Sequence, residues 1–155
     1  MHASLKVYYT AKKILLGDRS LRVFLGSFEF DTQGEFDFVN LSAKVDSVVR
    51  ESGIKDGIAL VFAGHATGVI AITEYESRLK RDIQNFLEGL VPSEGNYHHG
   101  GNAFAHLRSM LFTPSKVVPV RDGQLALGSW QSIFWIEAER RPRHRRVEVY
   151  VIGSS

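Results

Sequence analysis

Residues 94–106 read EGNYHHGGNAFAH, which sets His98, His99 and His106, three of the chain's six histidines, beside two adjacent glycines and an asparagine. Imidazole is the commonest neutral metal ligand and titrates nearest neutral pH, so such a cluster can bind metal, receive an anion or move protons. Gly100 and Gly101 let the backbone approach a ligand closely, and Asn102 reads as the cap of a helix whose free amides make an anion site. A further candidate, His65, sits upstream in GHATG, between two apolar runs. His65, His99 and His106 plus a water would satisfy a tetrahedral zinc with an open position, or a looser magnesium-type site. No H-x-H or H-E-x-x-H pair reinforces that reading, and a lone histidine at a strand end is more often hydrogen-bonded structure than a ligand.

Other residues could serve the same site. Glu74 closes the apolar run GVIAIT, where a carboxylate is either paired or placed for proton transfer or metal support; a place on the surface rim fits equally. Thr67 could donate its hydroxyl to a phosphate or merely satisfy a turn. In LGSWQSI, Trp130 could stack on a heterocycle and Gln131 could read its edge, although a core position suits Trp130 better. The run RRPRHRR, from Arg140 to Arg146, offers guanidinium forks to phosphate, but reads more simply as a solvated hairpin loop offset by Glu137, Glu139 and Glu148.

The elements that must position these residues follow from periodicity. The first forty residues alternate weakly and read as strands punctuated by Gly17, Asp18 and Gly34. Leu41, Val45, Val48 and Val49 share a helical face over roughly 41–52, with Asn40 as cap and Gly53 as stop. GIALVFAGHATGVIAITEYE predicts a central hairpin or paired strands. Ser77 caps a second helix with the stripe Leu79, Ile83, Phe86, Leu87 and Leu90. A third helix, from Asn102 to about 112, should face inward through Ala103, Leu107, Met110 and Leu111. The rest reads as strands broken at Asp122-Gly123 and at the arginine run. This order predicts an α+β fold, one domain over 1–155, with mixed or antiparallel sheets and two to three helices. The glycines lack the spacing of a nucleotide-binding fingerprint.

Composition sets the outer limits. A chain of 155 residues, 44% hydrophobic, can bury one core without staples. With no cysteine, thiolate chemistry and disulfides are excluded. The net charge of +2 gives little ground for nucleic acid as a partner. No apolar window suits a membrane span or a leader, so a cytoplasmic protein is expected.

Three stretches carry a family resemblance that covers residues 5–153. GHATGVIAITEYE, then Tyr97, His99, Asn102, Ala103 and His106, and most specifically DGQLALGSWQSI, resemble the YjbQ family of the secondary thiamine-phosphate synthase group. Ala66, Thr73 and Ser129 depart from its pattern, and Ala66 lacks a hydroxyl the family carries. The resemblance implies a homotrimer and an activity joining an aminopyrimidine diphosphate to a thiazole phosphate. On that reading His65, His99 and His106 bind a divalent metal or diphosphate, Asn102 and Thr67 a phosphate, Glu74 moves a proton, and Gln131 and Trp130 orient a phosphorylated heterocycle. Two alternatives use the same residues differently: a metal-dependent phosphoester hydrolase, and a non-catalytic module binding anionic metabolites or RNA through the arginine run.

Overall fold

Period-two alternation in the C-terminal run RRVEVYVIGS decides the larger sheet. Arg145, Val147, Val149 and Val151 are buried while the residues between them are exposed or half-buried, so one face of this strand meets a core. The structure, a computed structural model, describes residues 8–16 and 19–154; the turn expected at Gly17 and Asp18 lies outside them. The elements run β1 (Tyr8–Leu16), β2 (Arg19–Thr32), β3 (Phe38–Asn40), α1 (Ser42–Ser52), β4 (Asp56–Phe62), β5 (Gly68–Thr73), α2 (Ser77–Leu90), α3 (Ala103–Met110), β6 (Ser115–Arg121), β7 (Gln124–Leu125), β8 (Ser132–Glu137) and β9 (Arg143–Ser154).

Six strands form an antiparallel sheet in the order β1-β2-β9-β4-β6-β7, and three form a second sheet, β3-β8-β5. The α+β architecture with antiparallel sheets and three helices is the one expected. The paired strands expected around GHATG are not present. β4 pairs with β6 and β9 in the large sheet, whereas β5 pairs with β8 in the small one, so residues 63–67 cross from one sheet to the other. Both runs are apolar because each is a sheet member facing a core, a pattern that does not reveal the partner strand.

The small sheet is the middle layer. Ile70, Ile133 and Trp135 pack toward α1 and the large sheet, while Val69, Phe134 and Ile136 pack toward Leu87 of α2. β8 is therefore buried on both faces, which accounts for its unbroken apolar run. Helix α1 lies on the inner face of the large sheet, with Val48 directly over Gly26, and ends at Gly53 with φ 65°, the left-handed stop that glycine supplies without a steric penalty.

The starts of α1 and α2 sit one residue from expectation, while α3 begins after Asn102 as expected. Asn40 still accepts a hydrogen bond from the Ser42 amide, but Leu41 occupies the cap position. Glu76, not Ser77, caps α2, its carboxylate accepting from the amides of Arg78 and Leu79 at 3.0 and 3.1 Å. α3 buries Ala103 as expected but is turned away from the rest of the predicted inward face. Ala103, Phe104, Ala105 and Arg108 are buried, while Leu107, Met110 and Leu111 are exposed. Among the described residues no helix is long and apolar enough to cross a membrane.

Candidate functional site

The loop before α3 folds back on the helix it precedes. Gly101 takes φ 86°, a conformation open to glycine, and the amide of Asn102 returns to the carbonyl of Gly100. His99 on the loop and His106 on the helix thereby meet edge to face, their ring centroids 5.2 Å apart. They line a hollow of about 460 Å³ with Tyr97, His98 and Leu107. A smaller, more polar hollow of about 210 Å³ lies beside it, lined by His99, Tyr97, Gly100, Gly101 and Arg140.

His65 stands on the far side of His106. The two histidines line a third hollow, of about 570 Å³, closed by the segment Ser109–Pro114. The His65 ring meets Trp135 edge on at 5.9 Å, and its Nε2 lies 3.0 Å from both the amide nitrogen and the carbonyl oxygen of Arg146. Either neutral tautomer satisfies one of those two groups, which leaves Nδ1 as the nitrogen available to a ligand. Burial, reinforced by the nearby Arg145 charge, lowers the pKa of His65 and favours the neutral ring.

A buried ion pair anchors both sides of this arrangement. Arg145 Nη2 lies 2.5 Å from Glu137 Oε1 and its Nε 2.8 Å from Oε2, and Nη2 also donates to the carbonyl and hydroxyl oxygens of Thr67. Thr32 and the Trp135 indole donate to Glu137 Oε2. The Glu139 amide donates to Oε1 of Glu137, and Oε2 of Glu139 accepts from the Asn102 side-chain amide at 2.8 Å. Thr67 and Asn102, both expected to meet a phosphate, thus serve as structural ties. Asn102 sits at the cap position of α3, but its side chain tethers the helix to the β8–β9 connection and makes no cap bond. On the other arm, the Ser109 hydroxyl donates to the carbonyl of Gly68.

Glu74, Trp130 and Gln131 are not brought to the histidines within one chain. Gly68 pairs with Glu137 and Thr73 with Ser132, so these three residues lie at the end of the β5–β8 pair opposite His65. A six-residue strand separates the two ends by roughly 20 Å. Trp130 is 76% exposed, outside the core that suited it better, and Trp135 takes the buried position. The Gln131 side chain accepts from the Gly128 amide and closes a turn.

Among the described residues, no three His, Asp or Glu side chains are gathered so as to hold a metal. His99 and His106 offer two imidazoles, a donor set that suits zinc better than magnesium, which takes oxygen ligands. A resident three-histidine centre is therefore not assembled within one chain.

The arginine run is a loop only in its first half, residues 140–142 of the β8–β9 connection, and is not a free cationic patch. Four of its members begin β9, and Arg145 faces inward to Glu137. Arg143 pairs with Glu139, Arg140 with Glu94, and His144 with Asp31 and Glu29. Residue types alone gave no sign of a second buried cation, Arg108, which is fully buried. It donates to Glu35, Glu88 and the carbonyl of Val91, and its guanidinium lies over Phe36 and Phe104.

The chain's relatives share this fold. Residues 26–154 match the family described as UPF0047 protein YjbQ-like. A UPF0047 protein of Methanothermobacter thermautotrophicus is 40% identical over 136 residues, which is 86% of this chain and 94% of that protein. Another, from Methanocaldococcus jannaschii, is 37% identical over 83% of this chain and 94% of its own length. The crystal structure of a protein of unknown function from Sulfolobus solfataricus superposes with a TM-score of 0.79 at 29% identity, covering 97% of this chain and all of that one. A Clostridium acetobutylicum protein gives 0.77 at 35% identity, covering 81% and 98%. With a match across most of its length and relatives at this level of identity, the chain belongs to the YjbQ-like UPF0047 family.

Proposed function

We propose that this chain binds a phosphorylated heterocycle against the His99–His106 wall. As the family resemblance implies, it would join an aminopyrimidine diphosphate to a thiazole phosphate to give thiamine phosphate. The observation that carries this reading is the pairing of His99 and His106 at 5.2 Å beside the Gly100–Gly101 backbone. Imidazole N–H groups and close backbone amides are what a departing diphosphate requires.

The chemistry balances without an oxidant or reductant. The bond from the pyrimidine methylene carbon to the diphosphate oxygen breaks, and pyrophosphate leaves with the electron pair. The thiazole nitrogen then supplies the pair for the new carbon–nitrogen bond. Positive charge builds on the methylene carbon, so the site must neutralise the leaving group and exclude water. His99 and His106 serve the first need, and the apolar side chains lining the hollows serve the second.

Homotrimer formation belongs to the same proposal. The outer face of the large sheet shows exposed Ile58 and Val117, flanked by half-buried Leu25, Leu60 and Ile152, an apolar surface that another copy would cover. Association is also the route by which Glu74, Trp130 and Gln131 of one copy would reach the histidines of another. The cytoplasm is the proposed compartment.

The test is formation of thiamine phosphate from the two substrates, followed by chromatography, in wild type, His99→Ala and His106→Ala. Each variant should keep its fold and lose about a hundredfold in turnover. Phosphate release from one substrate alone would point to the hydrolase, and absence of product in the wild type would end the synthase reading.

A further inference from the structure

Past His99, beyond the 460 Å³ hollow that the two rings share, lies a small hollow that differs in kind from the one on the His65 side of His106. On the His99 side, the smaller hollow is lined by Gly95, Gly100, Gly101 and Arg140, where backbone and a guanidinium held by Glu94 supply polarity. On the His65 side the larger hollow is lined by Ala66, Met110, Leu111, Phe112 and Pro114, and among the described residues no lysine or arginine lines it.

The hydroxyls on the His65 side are already committed. Ser109 donates to the Gly68 carbonyl; Thr113 donates to the Ser115 carbonyl and accepts from Lys116. Nε2 of His65 is engaged with the Arg146 backbone. What remains for a guest is apolar surface, Nδ1 of His65 and the His106 ring. A phosphate placed there would lose its hydration largely against aliphatic carbon, with the Lys116 ammonium already donating to the Thr113 hydroxyl at its edge, which is unfavourable. A flat ring with one or two hydrogen-bonding atoms would bury its faces against Met110, Leu111 and Phe112, Met sulfur being well suited to aromatic contact. The size fits as well, since about 570 Å³ lies within the range of small-molecule sites.

We infer that the hollow between His65 and the Met110–Pro114 segment is the subsite for the heteroaromatic ring of the ligand, with His106 at the junction and the anionic group on the His99 side. The inference rests on the phosphorylated-heterocycle reading and moves the ring away from Trp130 and Gln131, which lie at the other end of β5 and β8.

The experiment compares thiazole phosphate with inorganic phosphate by calorimetric titration of the full chain. Met110 is 74% exposed, so Met110→Asp places a carboxylate at the hollow without emptying the core. Thiazole phosphate should bind about tenfold more weakly to this variant, with inorganic phosphate within about twofold of wild type. Met110→Leu should restore the heterocycle, and His99→Ala should weaken both probes. Unchanged thiazole phosphate binding in Met110→Asp, or equal weakening of both probes, overturns the ring subsite. If neither probe binds the wild type, the phosphorylated-ligand reading falls with it. If thiazole phosphate responds to Met110 but no thiamine phosphate forms, the subsite stands and the synthase reading alone is lost.

Discussion

Arg145 and Glu137 form a two-point ion pair, at 2.5 and 2.8 Å, in which the carboxylate is fully buried and the arginine side chain is 6% exposed. Among the described residues the Glu137 carboxylate accepts five hydrogen bonds, and through Glu139 and Asn102 the network reaches the start of α3. Removing one charge strands the other away from water. Glu137→Gln keeps the shape and should destabilise the fold by about 3 kcal/mol. Thermal denaturation should fall by roughly 6–12 °C on that basis. The Arg145→Met, Glu137→Leu double variant should be less destabilised than the sum of its single changes. A loss under about 1 kcal/mol for Glu137→Gln would show that the pair is not structurally dominant.

Gly68 is where the loop carrying His65 enters the small sheet. A methyl at this position would lie 1.8 Å from Cζ2 of Trp135, a ring held by its bond to Glu137 and by core packing. The ring cannot retreat without disturbing both. Gly68→Ala should therefore cost about 1–3 kcal/mol by overpacking and displace His65, which contacts the same ring. Urea unfolding and the His65 imidazole NMR signals read the two effects, and wild-type values for both would refute this account of the glycine.

Two histidines should tilt the pH dependence of stability in opposite directions. The pKa of His144 is raised, first by its hydrogen bond to Asp31 and then by Glu29. Its contribution is complete below the unfolded value near 6.5 and is lost as pH rises through the folded value. Because the ring is largely exposed, that contribution is below about 1 kcal/mol. The pKa of His65 is lowered, first by burial, so its contribution is present above the unfolded value and lost as pH falls through the folded one. His144→Gln should flatten the alkaline arm of a stability profile and leave the acid arm intact. A variant profile that parallels the wild type throughout would show that the Asp31 and Glu29 contacts do not persist in solution.

The sequence revealed periodicity more readily than pairing. α1 and its Gly53 stop were legible because a helix encodes its own face and its own end. The separation of β4 from β5 was not, since an apolar strand is compatible with many partners and residues 63–67 contain no turn pattern that excludes a hairpin. Arg145 carried a readable signal: it falls in phase with Val147, Val149 and Val151, an inward register that its charge obscured. α3 departed from expectation for a related reason. An eight-residue helix offers two stripes of similar hydrophobicity, and the burial of Arg108 by Glu35 and Glu88, distant in sequence, chooses the less apolar one. The histidines of the loop before α3 and of α3 itself were legible as a pair because a short segment joins them. The distance of Trp130, Gln131 and Glu74 from that pair depends on the antiparallel register of β5 and β8, which no local pattern encodes.

Arg108 gives the sharpest test of what holds α3 in place. Its guanidinium reaches Glu35 after β2 and, at the end of α2, Glu88 and the Val91 carbonyl, joining two segments to a helix that carries His106 two residues earlier. Glu35 and Glu88 are partly exposed, so their carboxylates can rehydrate once the arginine is gone, which places Arg108→Met at the lower end of the usual penalty, about 3 kcal/mol. Arg108→Lys retains the charge but has no planar fork to span three acceptors, and should recover only part of the loss. Both variants should also weaken phosphate binding at the His99–His106 wall, because an unanchored α3 no longer holds the two rings together. Chemical denaturation gives the first effect and calorimetric titration the second. Full stability in Arg108→Lys would mean that charge alone anchors the helix, and unaltered phosphate affinity in Arg108→Met would mean that the loop, not α3, sets the geometry of the histidine pair.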